Sequence, residues 1–554
     1  MTMTFARALG ASTGMDRPEN FSRSGWLAIA LCLCAFFVSP AAAQDPDRRP
    51  NVVFIILDDL NEYVGFLGGH PQSLTPNMDA LAARSVSFTD AYPTLPICAP
   101  SRASLFSGIQ PFNSGSMSFG KWFQNDTLRN SRTLMEYFRA NGYRTLGTGK
   151  IFHDNVGYLW DEFHGKVDYG PVWMSAGEPM AHPSVARPFG DIGAIDGSFA
   201  AMTATGVVDD QDKPYSGWWS IPHKRPVRFA SETDRDPLPD EISARWAAQQ
   251  LSEMGEAGDD EPFFLAVGLL KPHTPLHVPK SYFDRLPEEA DIIIPNYDPA
   301  DANDTFYRDV FDSETRGILL FDTLARSYPS VEEGLRAFIR AYLASIAFAD
   351  DQVGTIIEAV ERSPYADNTI IVLTSDHGWT NGEKNVLFKN NLWQSGSRVP
   401  FLIYRPGHSA RTLEAPVSLI DIYPTLAELA GLEGDTRKNA KGHVLDGKSL
   451  VPYMDARKGS APEFALGMLK SSNLEGSESW QPARQHYSIT TSTWRYIRYN
   501  TGQEELYERS KDPQERSNLA HDQGADASVK AVLGDMRRKL DTAVPGVGAS
   551  RGLD

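Results

Sequence analysis

The chain has 554 residues, a formal net charge of −18 and 22% charged residues. It is longer than the roughly 250 to 300 residues at which single domains usually stop growing, so a large domain with a smaller one is expected. An apolar content of 41% and an aromatic content of 11% exclude a disordered or low-complexity chain. The excess of negative charge would repel phosphates at long range and argues against a nucleic-acid partner.

The first predicted element is an export signal. An uncharged apolar run covers residues 26–38, with Arg17 and Arg23 before it and the small residues 41–43 after it. This arrangement predicts a secretory signal peptide over residues 1–43, cleaved after Ala43. The run is shorter than the roughly 20 residues that a membrane span needs, so we expect no stable membrane anchor and a periplasmic or secreted protein.

The cysteines fit an exported protein without a disulfide framework. Cys32 and Cys34 lie in the predicted signal and would leave with it, so that Cys98 alone remains in the mature chain. A single thiol in an oxidising compartment is either buried or has a specific task. Cys98 is therefore a candidate functional residue.

Three continuous apolar runs predict buried parallel strands, at residues 51–57, 262–270 and 368–375. Each run is followed directly by reactive side chains, namely Asp58-Asp59, Lys271-Pro272-His273 and Asp376-His377-Gly378. Ligand sites of open parallel sheets lie outside the carboxyl ends of the strands. We therefore expect these three segments to converge.

The remaining elements suggest how the chain is divided. Helical periodicity over residues 331–362 predicts a long helix that ends before Ser363-Pro364. Residues 154–237 are rich in Gly, Pro and Trp and predict a structured insertion at the mouth of the site. Alternation over residues 485–499 predicts an antiparallel strand pair, followed by a charged helix at 527–540. These features predict a main domain at 44–457, containing the insertion, and a C-terminal subdomain at 458–554.

Cys98 begins the motif Cys98-Ala99-Pro100-Ser101-Arg102, and a second motif, GYRTLGTGKIFH, spans residues 142–153. With these motifs and the three strand-end segments, residues 51 to 520 resemble the type I, formylglycine-dependent sulfatases, and among them the iduronate 2-sulfatases and their bacterial relatives. The resemblance implies an α/β, alkaline-phosphatase-like fold. Its mostly parallel sheet would be flanked by helices, with a smaller C-terminal α+β domain on an antiparallel sheet. Ser107 and Thr148 depart conservatively from the family pattern.

The resemblance also implies the chemistry of the site. In this family a maturation enzyme oxidises the motif cysteine, here Cys98, to formylglycine. The hydrated aldehyde can attack sulfur with one hydroxyl and expel sulfate with the other, which serine could not do. A divalent metal, usually calcium in the family, would be held by Asp58, Asp59, Cys98, Asp376 and His377. Carboxylates suit such a hard cation, but imidazole is an unusual calcium ligand, so magnesium stays open.

The other motif residues receive roles in the same way. Arg102 would hold the hydrated aldehyde through its planar, permanently charged guanidinium. His273 would be the acid and His153 the base, because a histidine pKa can lie near working pH. Charge on the sulfuryl oxygens would be met by cations, with substrate contacts from Lys150, Lys271, His273 and Lys389. The neighbouring Lys384 is the rival of Lys389.

These observations predict a sulfatase that acts from the ends of short sulfated oligosaccharides. Aromatic faces and guanidinium groups suited to sugars and uronates are expected at the mouth, supplied by Trp173, Trp218, Trp219, Trp480, Arg484 and Arg495. Two alternatives stay open. One is a phosphonate or phosphate ester hydrolase that uses the same aldehyde and metal, and the other is a secreted glycan-binding protein without turnover.

Overall fold

The structure is a computed structural model that describes residues 48–547, except 155, 166–167, 206–214, 296, 473–475 and 522–525. The predicted signal peptide, with Cys32 and Cys34, lies outside the described residues. Among the residues described, no helix combines the length and the hydropathy of a bilayer span.

The strands, in chain order, are β1 (Asn51–Asp58), β2 (Val86–Tyr92), β3 (Arg144–Gly149), β4 (Glu162–His164), β5 (Val172–Ser175), β6 (Glu178–Met180), β7 (Phe199–Met202), β8 (Gly217–Ser220), β9 (Arg225–Pro226), β10 (Phe263–Pro272), β11 (Leu276–Pro279), β12 (Thr369–Ser375), β13 (Thr380–Asn381), β14 (Leu387–Phe388), β15 (Val399–Tyr404), β16 (Arg411–Leu413), β17 (Val417–Ser418), β18 (Ala465–Leu469), β19 (His486–Thr490), β20 (Trp494–Arg498) and β21 (Glu504–Glu508).

The α-helices are α1 (Pro76–Ala82), α2 (Cys98–Ser107), α3 (Pro111–Ser114), α4 (Asp126–Arg129), α5 (Leu134–Ala140), α6 (Pro239–Ala257), α7 (Lys280–Asp284), α8 (Tyr307–Val310), α9 (Arg316–Ser327), α10 (Val331–Arg362), α11 (Gln394–Ser397), α12 (Ile422–Leu429), α13 (Val451–Met454) and α14 (Ala527–Ala543).

The central sheet has the strand order β16-β2-β15-β12-β1-β10-β3-β4, and β17 also pairs with β2. Strand β15 runs antiparallel to both of its neighbours, whereas the other pairings are parallel. The predicted mostly parallel α/β sheet is therefore confirmed. So are the three predicted buried strands, which are β1, β10 and β12.

Helices cover both faces of this sheet. In β1, Val53 and Ile55 join the core beneath α6 and α10, while Phe54 and Ile56 join the core beneath α2, α5 and α12. A strand buried on both faces is apolar at every position. This double burial explains why the three central strands were visible as continuous apolar runs. The long helix α10 has the predicted bounds.

The described residues between 154 and 237 are structured, although their strands have only two to four residues. Strands β6, β5, β8 and β9 form an antiparallel sheet, and β7 pairs with β11. Trp218 is fully buried here, its ring 5.1 Å from that of Trp173 and stacked 5.3 Å from that of His182. The expectation that Trp218 lies at the mouth is wrong, because its ring packs in the core.

Strands β18 to β21 form an antiparallel sheet against which α14 packs. Strands β19 and β20 match the predicted strand pair, and α14 matches the predicted charged helix. Arg495, on β20, is buried: its guanidinium pairs with Glu515 and donates to the carbonyl of Leu392 at 3.1 Å. The expectation that Arg495 meets a substrate carboxylate is therefore wrong.

Candidate active site

The reactive side chains gather at the carboxyl end of the central strands. Asp58 ends β1, His377 follows β12, and Cys98 is the first residue of α2. The register pairs Leu57 of β1 with the last residue of β12, so the two strands end level. Ligand atoms of Asp58, Asp59, Cys98 and His377 lie within 4.8 Å of one another. The structure thus brings together residues that are up to 319 positions apart in the chain.

Asp59 turns the chain sharply after β1. Its φ of 66° lies in the left-handed region, which is unusual for a residue other than glycine. Its N–H donates to Asp376 Oδ1 at 3.2 Å, and its carbonyl accepts from the hydroxyl of Tyr342 at 2.6 Å. These bonds hold the turn, and both adjacent aspartates present oxygen atoms to the same cluster.

A close approach of two glycines determines how near the carboxyl ends of β3 and β10 lie to each other. Gly149, at the end of β3, has a φ of 72°, and a Cβ built on it would lie 2.0 Å from the carbonyl oxygen of Gly268 in β10. A Cβ on Gly268 would in turn lie 2.2 Å from the carbonyl carbon of Lys150. Only glycine fits at this contact. This close contact between β3 and β10 places Lys150, the residue after β3, at the site.

Arg102 lies one helical turn after Cys98 and is fully buried. Its Nε donates to Asp376 Oδ2 at 2.8 Å, and its Nη2 lies 3.4 Å from Asp58 Oδ1. Its remaining N–H groups donate to carbonyl oxygens at the strand ends, those of Leu57, Lys150 and Ile151. The guanidinium therefore ties three strand ends together. Its predicted contact with an oxidised Cys98 stays a prediction.

Two buried lysines contact the cluster. Lys389 Nζ lies 2.7 Å from Asp59 Oδ1 and 3.0 Å from Cys98 Sγ. Lys150 Nζ pairs with Asp58 Oδ2. The rival of Lys389 is elsewhere, since Lys384 pairs with Asp301, which lies outside the cluster.

Lys271 occupies a different position from the one its motif suggested. Its Nζ donates to the carbonyl oxygens of His273, at 3.4 Å, and of Pro275. Its backbone N–H donates to Asp240, and burial lowers the pKa of Lys271 to about 8. In this structure Lys271 supports the loop that carries His273 and is not brought onto the carboxylates.

Two histidines border the carboxylates. His377 Nε2 lies 3.3 Å from Cys98 Sγ, and its Nδ1 lies 3.3 Å from Asp59 Oδ1. His273 Nε2 faces Asp59 Oδ2 at 3.7 Å, while its Nδ1 lies 2.5 Å from the carbonyl of Thr274. That carbonyl can only accept, so Nδ1 of His273 carries the proton and Nε2 is the acceptor.

His153 lies beside the cluster and between two aromatic rings. Its Nε2 is 3.3 Å from the hydroxyl of Tyr169, and its ring centroid is 5.1 Å from that of Phe119. Burial, with the charge of Lys150, lowers the pKa of His153 to about 4. Sequence reasoning missed Tyr169 and Phe119, because both lie in aperiodic segments that match no motif.

Burial and charge set the protonation of the cluster. Burial alone would raise the pKa of Asp58, but Lys150 and the other nearby cations hold it well below its ordinary value. Burial raises the pKa of Asp59 to about 8, opposed by Lys389 and reinforced by the charge of Asp58. Burial and the charge of Asp58 also raise the pKa of Cys98. Unmodified Cys98 is thus a thiol at neutral pH and a weak nucleophile.

The cluster fits a hard divalent cation. Asp58 is met by cations, with Lys150 Nζ paired to its Oδ2 and Arg102 Nη2 3.4 Å from its Oδ1. Oδ2 of Asp59 is buried and accepts no hydrogen bond from any residue that the structure describes. Leaving carboxylate oxygens buried without a donor is costly unless a cation compensates them. Asp376 is different, because its oxygens accept from Arg102 Nε and from the N–H groups of Asp59 and His377. Its role as a ligand stays a prediction.

Comparisons with known proteins agree with this geometry. The Sulfatase family model matches residues 50–432, and the model described as N-sulphoglucosamine sulphohydrolase, C-terminal, matches residues 382–543. The chain is 30% identical to a Sulfatase of Formosa agariphila over 525 residues, which cover 91% of this chain and 90% of the relative.

Two further relatives show how far the similarity extends. The chain is 29% identical to Iduronate 2-sulfatase of Homo sapiens over 467 residues, covering 78% of this chain and 79% of the relative. The solved structure of the phosphonate monoester hydrolase of Silicibacter pomeroyi has a TM-score of 0.62 and 20% identity, covering 90% of this chain and 96% of that chain. At this identity the likeness shows a shared fold.

Proposed function

Because the chain belongs to the sulfatase family and is a sulfuric ester hydrolase, we propose that it removes sulfate from the ends of short sulfated oligosaccharides. The reaction would use a formylglycine formed at Cys98 and one divalent metal, as sulfatases of this family generally do. The observation that carries this proposal is the buried group of Asp58, Asp59, Cys98 and His377, whose ligand atoms lie within 4.8 Å of one another.

The metal would be held by Asp58, Asp59, His377 and the modified Cys98, with Asp376 as the remaining candidate ligand. Calcium or magnesium suits these carboxylates. When bound, the metal would stabilise the deprotonated form of the attacking hydroxyl, and the hydrated aldehyde would supply that hydroxyl.

The lysines suit the stabilisation of a sulfate ester. Lys150 and Lys389 bring two ammonium groups to the carboxylates and to Cys98. A sulfuryl group placed above Cys98 would meet both ammonium groups, which can stabilise the negative charge that grows on its oxygens. Arg102 would orient the strand ends that carry the reacting residues.

The histidines suit proton transfer. His153 is held neutral by burial and by Lys150, and a neutral imidazole can act as the base. Burial and the charges of Lys389 and Lys150 also hold the pKa of His273 well below its ordinary value. An anionic ester bound beside His273 would oppose those lysine charges. His273 could then carry the proton that the leaving alcohol needs.

The burial of the reaction centre supports action on chain ends. Cys98 is 1% exposed, so a sulfate on a terminal sugar reaches it more easily than one inside a long polymer. The net charge of −18 would also repel a long polyanion. Similarity to an iduronate 2-sulfatase supports a 2-O-sulfated uronate as the first substrate to test. Phe119, 57% exposed beside His153, offers aromatic surface for a sugar ring. The predicted contact of a sugar with Trp480, which is 45% exposed with Lys470 over its ring, stays a prediction.

Export completes the proposal. The predicted signal peptide over residues 1–43 would direct the chain to the periplasm or out of the cell, where sulfated polysaccharides are available. This step is tested by sequencing the N-terminus of the protein isolated from the periplasm and from the medium. The mature chain should begin at residue 44.

The chemistry is tested by mass spectrometry, metal analysis and sulfate release. Wild-type protein, co-expressed with a formylglycine-generating enzyme, should carry an aldehyde at residue 98 and about one calcium or magnesium per chain. It should release sulfate from a 2-O-sulfated uronate disaccharide faster than from intact polymer, with Cys98→Ala as the inactive control. Active protein with only an unmodified thiol, or with stoichiometric zinc, would contradict the mechanism. Faster release from internal positions would contradict action on chain ends.

The fold that this chain shares with a phosphonate monoester hydrolase supports one alternative, which is the hydrolysis of phosphonate or phosphate esters at the same cluster. A sulfate ester has one negative charge fewer than a phosphate monoester dianion. Rates on 4-nitrophenyl sulfate, 4-nitrophenyl phosphate and a phenyl phosphonate ester distinguish the two. Higher kcat/KM on either phosphorus ester would favour the alternative.

A further inference from the structure

One aromatic side chain contacts three residues of the proposed reaction centre at once. Tyr169 places its hydroxyl 3.3 Å from His153 Nε2, and its ring lies 5.0 Å from that of His273. Lys150 Nζ lies 4.6 Å from the centre of the same ring. The proposed base, the proposed acid and one sulfate-binding cation therefore share a single neighbour, which comes from the 154–237 insertion.

The turn that carries Tyr169 is anchored on both sides. Asp168 Oδ1 accepts from the N–H of Gly170 at 3.0 Å, and its Oδ2 accepts from the hydroxyl of Ser220 in β8 at 3.1 Å. Just after the turn, the carbonyl of Pro171 lies 2.7 Å from Nδ1 of the fully buried His277. These bonds fix the backbone on either side of Tyr169 independently of its contacts with the reaction centre.

We propose that Tyr169 is a positioning residue that fixes the imidazole of His153 through its hydroxyl and covers Lys150 and His273 with its ring. The proposal rests on the proposed function, because it takes His153, His273 and Lys150 as parts of the sulfatase machinery. It gives the 154–237 insertion a role in orienting the site, through a residue that lies outside the sequence motifs.

The physical argument separates the hydroxyl from the ring. A hydroxyl bonded to one imidazole nitrogen restricts rotation of the ring and fixes which nitrogen can take a proton. The face of the Tyr169 ring attracts the ammonium of Lys150, and the ring shields that ammonium from water. Phe119 also packs on His153 but has no hydroxyl, so it can cover the imidazole without fixing its orientation.

Chemical labelling tests the contact without any turnover. Diethylpyrocarbonate acylates neutral imidazole, and mass spectrometry of the peptide containing His153 reports the rate. In Tyr169→Phe, which keeps the ring, labelling of His153 should be about 5-fold faster than in wild type, as expected for the loss of one hydrogen bond. In Tyr169→Leu it should be faster still. Tyr215→Phe is the matched control, because Tyr215 lies in the same insertion and donates its hydroxyl to the carbonyl of Trp218 at 2.9 Å.

Steady-state kinetics test the consequence. In Tyr169→Phe, kcat for sulfate release should fall about 10-fold, the range expected for a group that orients a catalytic residue, while KM changes less than about 2-fold. Tyr169→Leu should also raise KM, since Lys150 loses its cover. Tyr215→Phe should match wild type in both constants.

The outcomes distinguish this proposal from the proposed function. Unchanged labelling of His153 in both Tyr169 variants, or an unchanged kcat in Tyr169→Phe, would overturn the positioning role while leaving the sulfatase chemistry intact. A wild-type protein that released no sulfate from any ester would overturn the proposed function. The labelling rates would still decide whether Tyr169 holds His153.

Discussion

Two buried acidic sites in this molecule differ in how their carboxylate oxygens are satisfied. In the proposed reaction-centre cluster (Asp58, Asp59, Cys98, His377), Asp58 is held by ion pairs with Lys150 and Arg102, and Oδ2 of Asp59 accepts no hydrogen bond from the residues that the structure describes. In contrast, the carboxylate of Glu505, on β21, is equally buried and accepts four hydrogen bonds.

The donors to Glu505 are fixed groups of its surroundings. Its Oε1 accepts from Phe306 N at 3.0 Å and from Tyr499 OH at 2.9 Å. Its Oε2 accepts from Trp393 Nε1 and from Tyr507 OH, both at 2.8 Å. Glu505 therefore links the small antiparallel sheet to the segments around residues 306 and 393. A buried carboxylate that is satisfied in this way holds the fold, whereas Oδ2 of Asp59 is available to the metal that we propose.

The largest effect is expected from Cys98→Ala. If Cys98 is the precursor of the nucleophile, activity should fall at least about 10,000-fold, the scale at which the loss of a nucleophile is usually measured. The thermal midpoint should stay near that of wild type, because alanine suits the buried first turn of α2. Sulfate release and differential scanning calorimetry check both parts. Residual activity above 1% of wild type would contradict the assignment.

Asp59→Asn tests whether an unsatisfied carboxylate serves the metal. Bound metal should be lost, and activity should fall about 1,000-fold, equivalent to about 4 kcal/mol of transition-state stabilisation. The metal-free protein should keep its stability within about 1 kcal/mol, because the asparagine Oδ1 can still accept from Lys389 Nζ. Burial also raises the pKa of Asp59 to about 8, so this carboxyl carries little charge at pH 7 when no metal is bound. Elemental analysis and urea unfolding in a chelator measure the two effects. Full metal content in the variant would remove Asp59 from the ligand set.

Glu505→Gln makes the same change, carboxylate to amide, at the other buried acidic site. The amide NH₂ would face donors, so unfolding free energy should fall by about 2 to 4 kcal/mol. Metal content and kcat should stay at wild-type values. Urea unfolding and elemental analysis compare it directly with Asp59→Asn. If Asp59→Asn and Glu505→Gln lost the same unfolding free energy, the conclusion that Glu505 stabilises the fold and Asp59 does not would be wrong.

The smallest effect concerns pH and His486, whose ring lies 5.6 Å from that of Tyr499. Burial lowers the pKa of His486 from 6.5 to about 3. The unfolded chain therefore binds the proton first, so the stability from this site is present above about pH 6.5 and is lost as the pH falls toward 3. From pH 7 to 5 the loss should be about 2 kcal/mol, or 1.4 kcal/mol per unit below 6.5.

His486→Gln should lose less stability than wild type over the same pH interval, by about that amount. Urea titrations at the two pH values give the comparison. Equal losses in the two proteins would show that His486 is not the group that titrates.

The sequence allowed the central sheet to be predicted because β1, β10 and β12 are buried on both faces and so are continuously apolar. The reactive residues could be placed because each follows one of these strands or lies in a motif. Position in a motif did not determine what each side chain contacts. Lys271 follows a strand as Asp58 does, yet its ammonium turns to the carbonyls of its own loop.

The parts that were missed share a physical cause. Strands of the insertion have two to four residues, too few for a periodic pattern. The burial of Trp218 depends on β5 and on His182, which are close only in the folded chain. Likewise Arg495 was expected at the mouth of the site, and its burial was missed because its partner Glu515 lies 20 residues away and beyond the next strand.

The burial of Cys98 also has a consequence for biosynthesis. Cys98 is 1% exposed, so a maturation enzyme that forms the proposed formylglycine would be kept from it in the finished fold. Oxidation would have to precede the docking of β12, which is contributed by a segment made more than 250 residues later. During synthesis at about 5 to 20 residues per second, that delay gives the maturation enzyme on the order of tens of seconds. The modified fraction would then be a kinetic property of expression, set by a race between folding and oxidation.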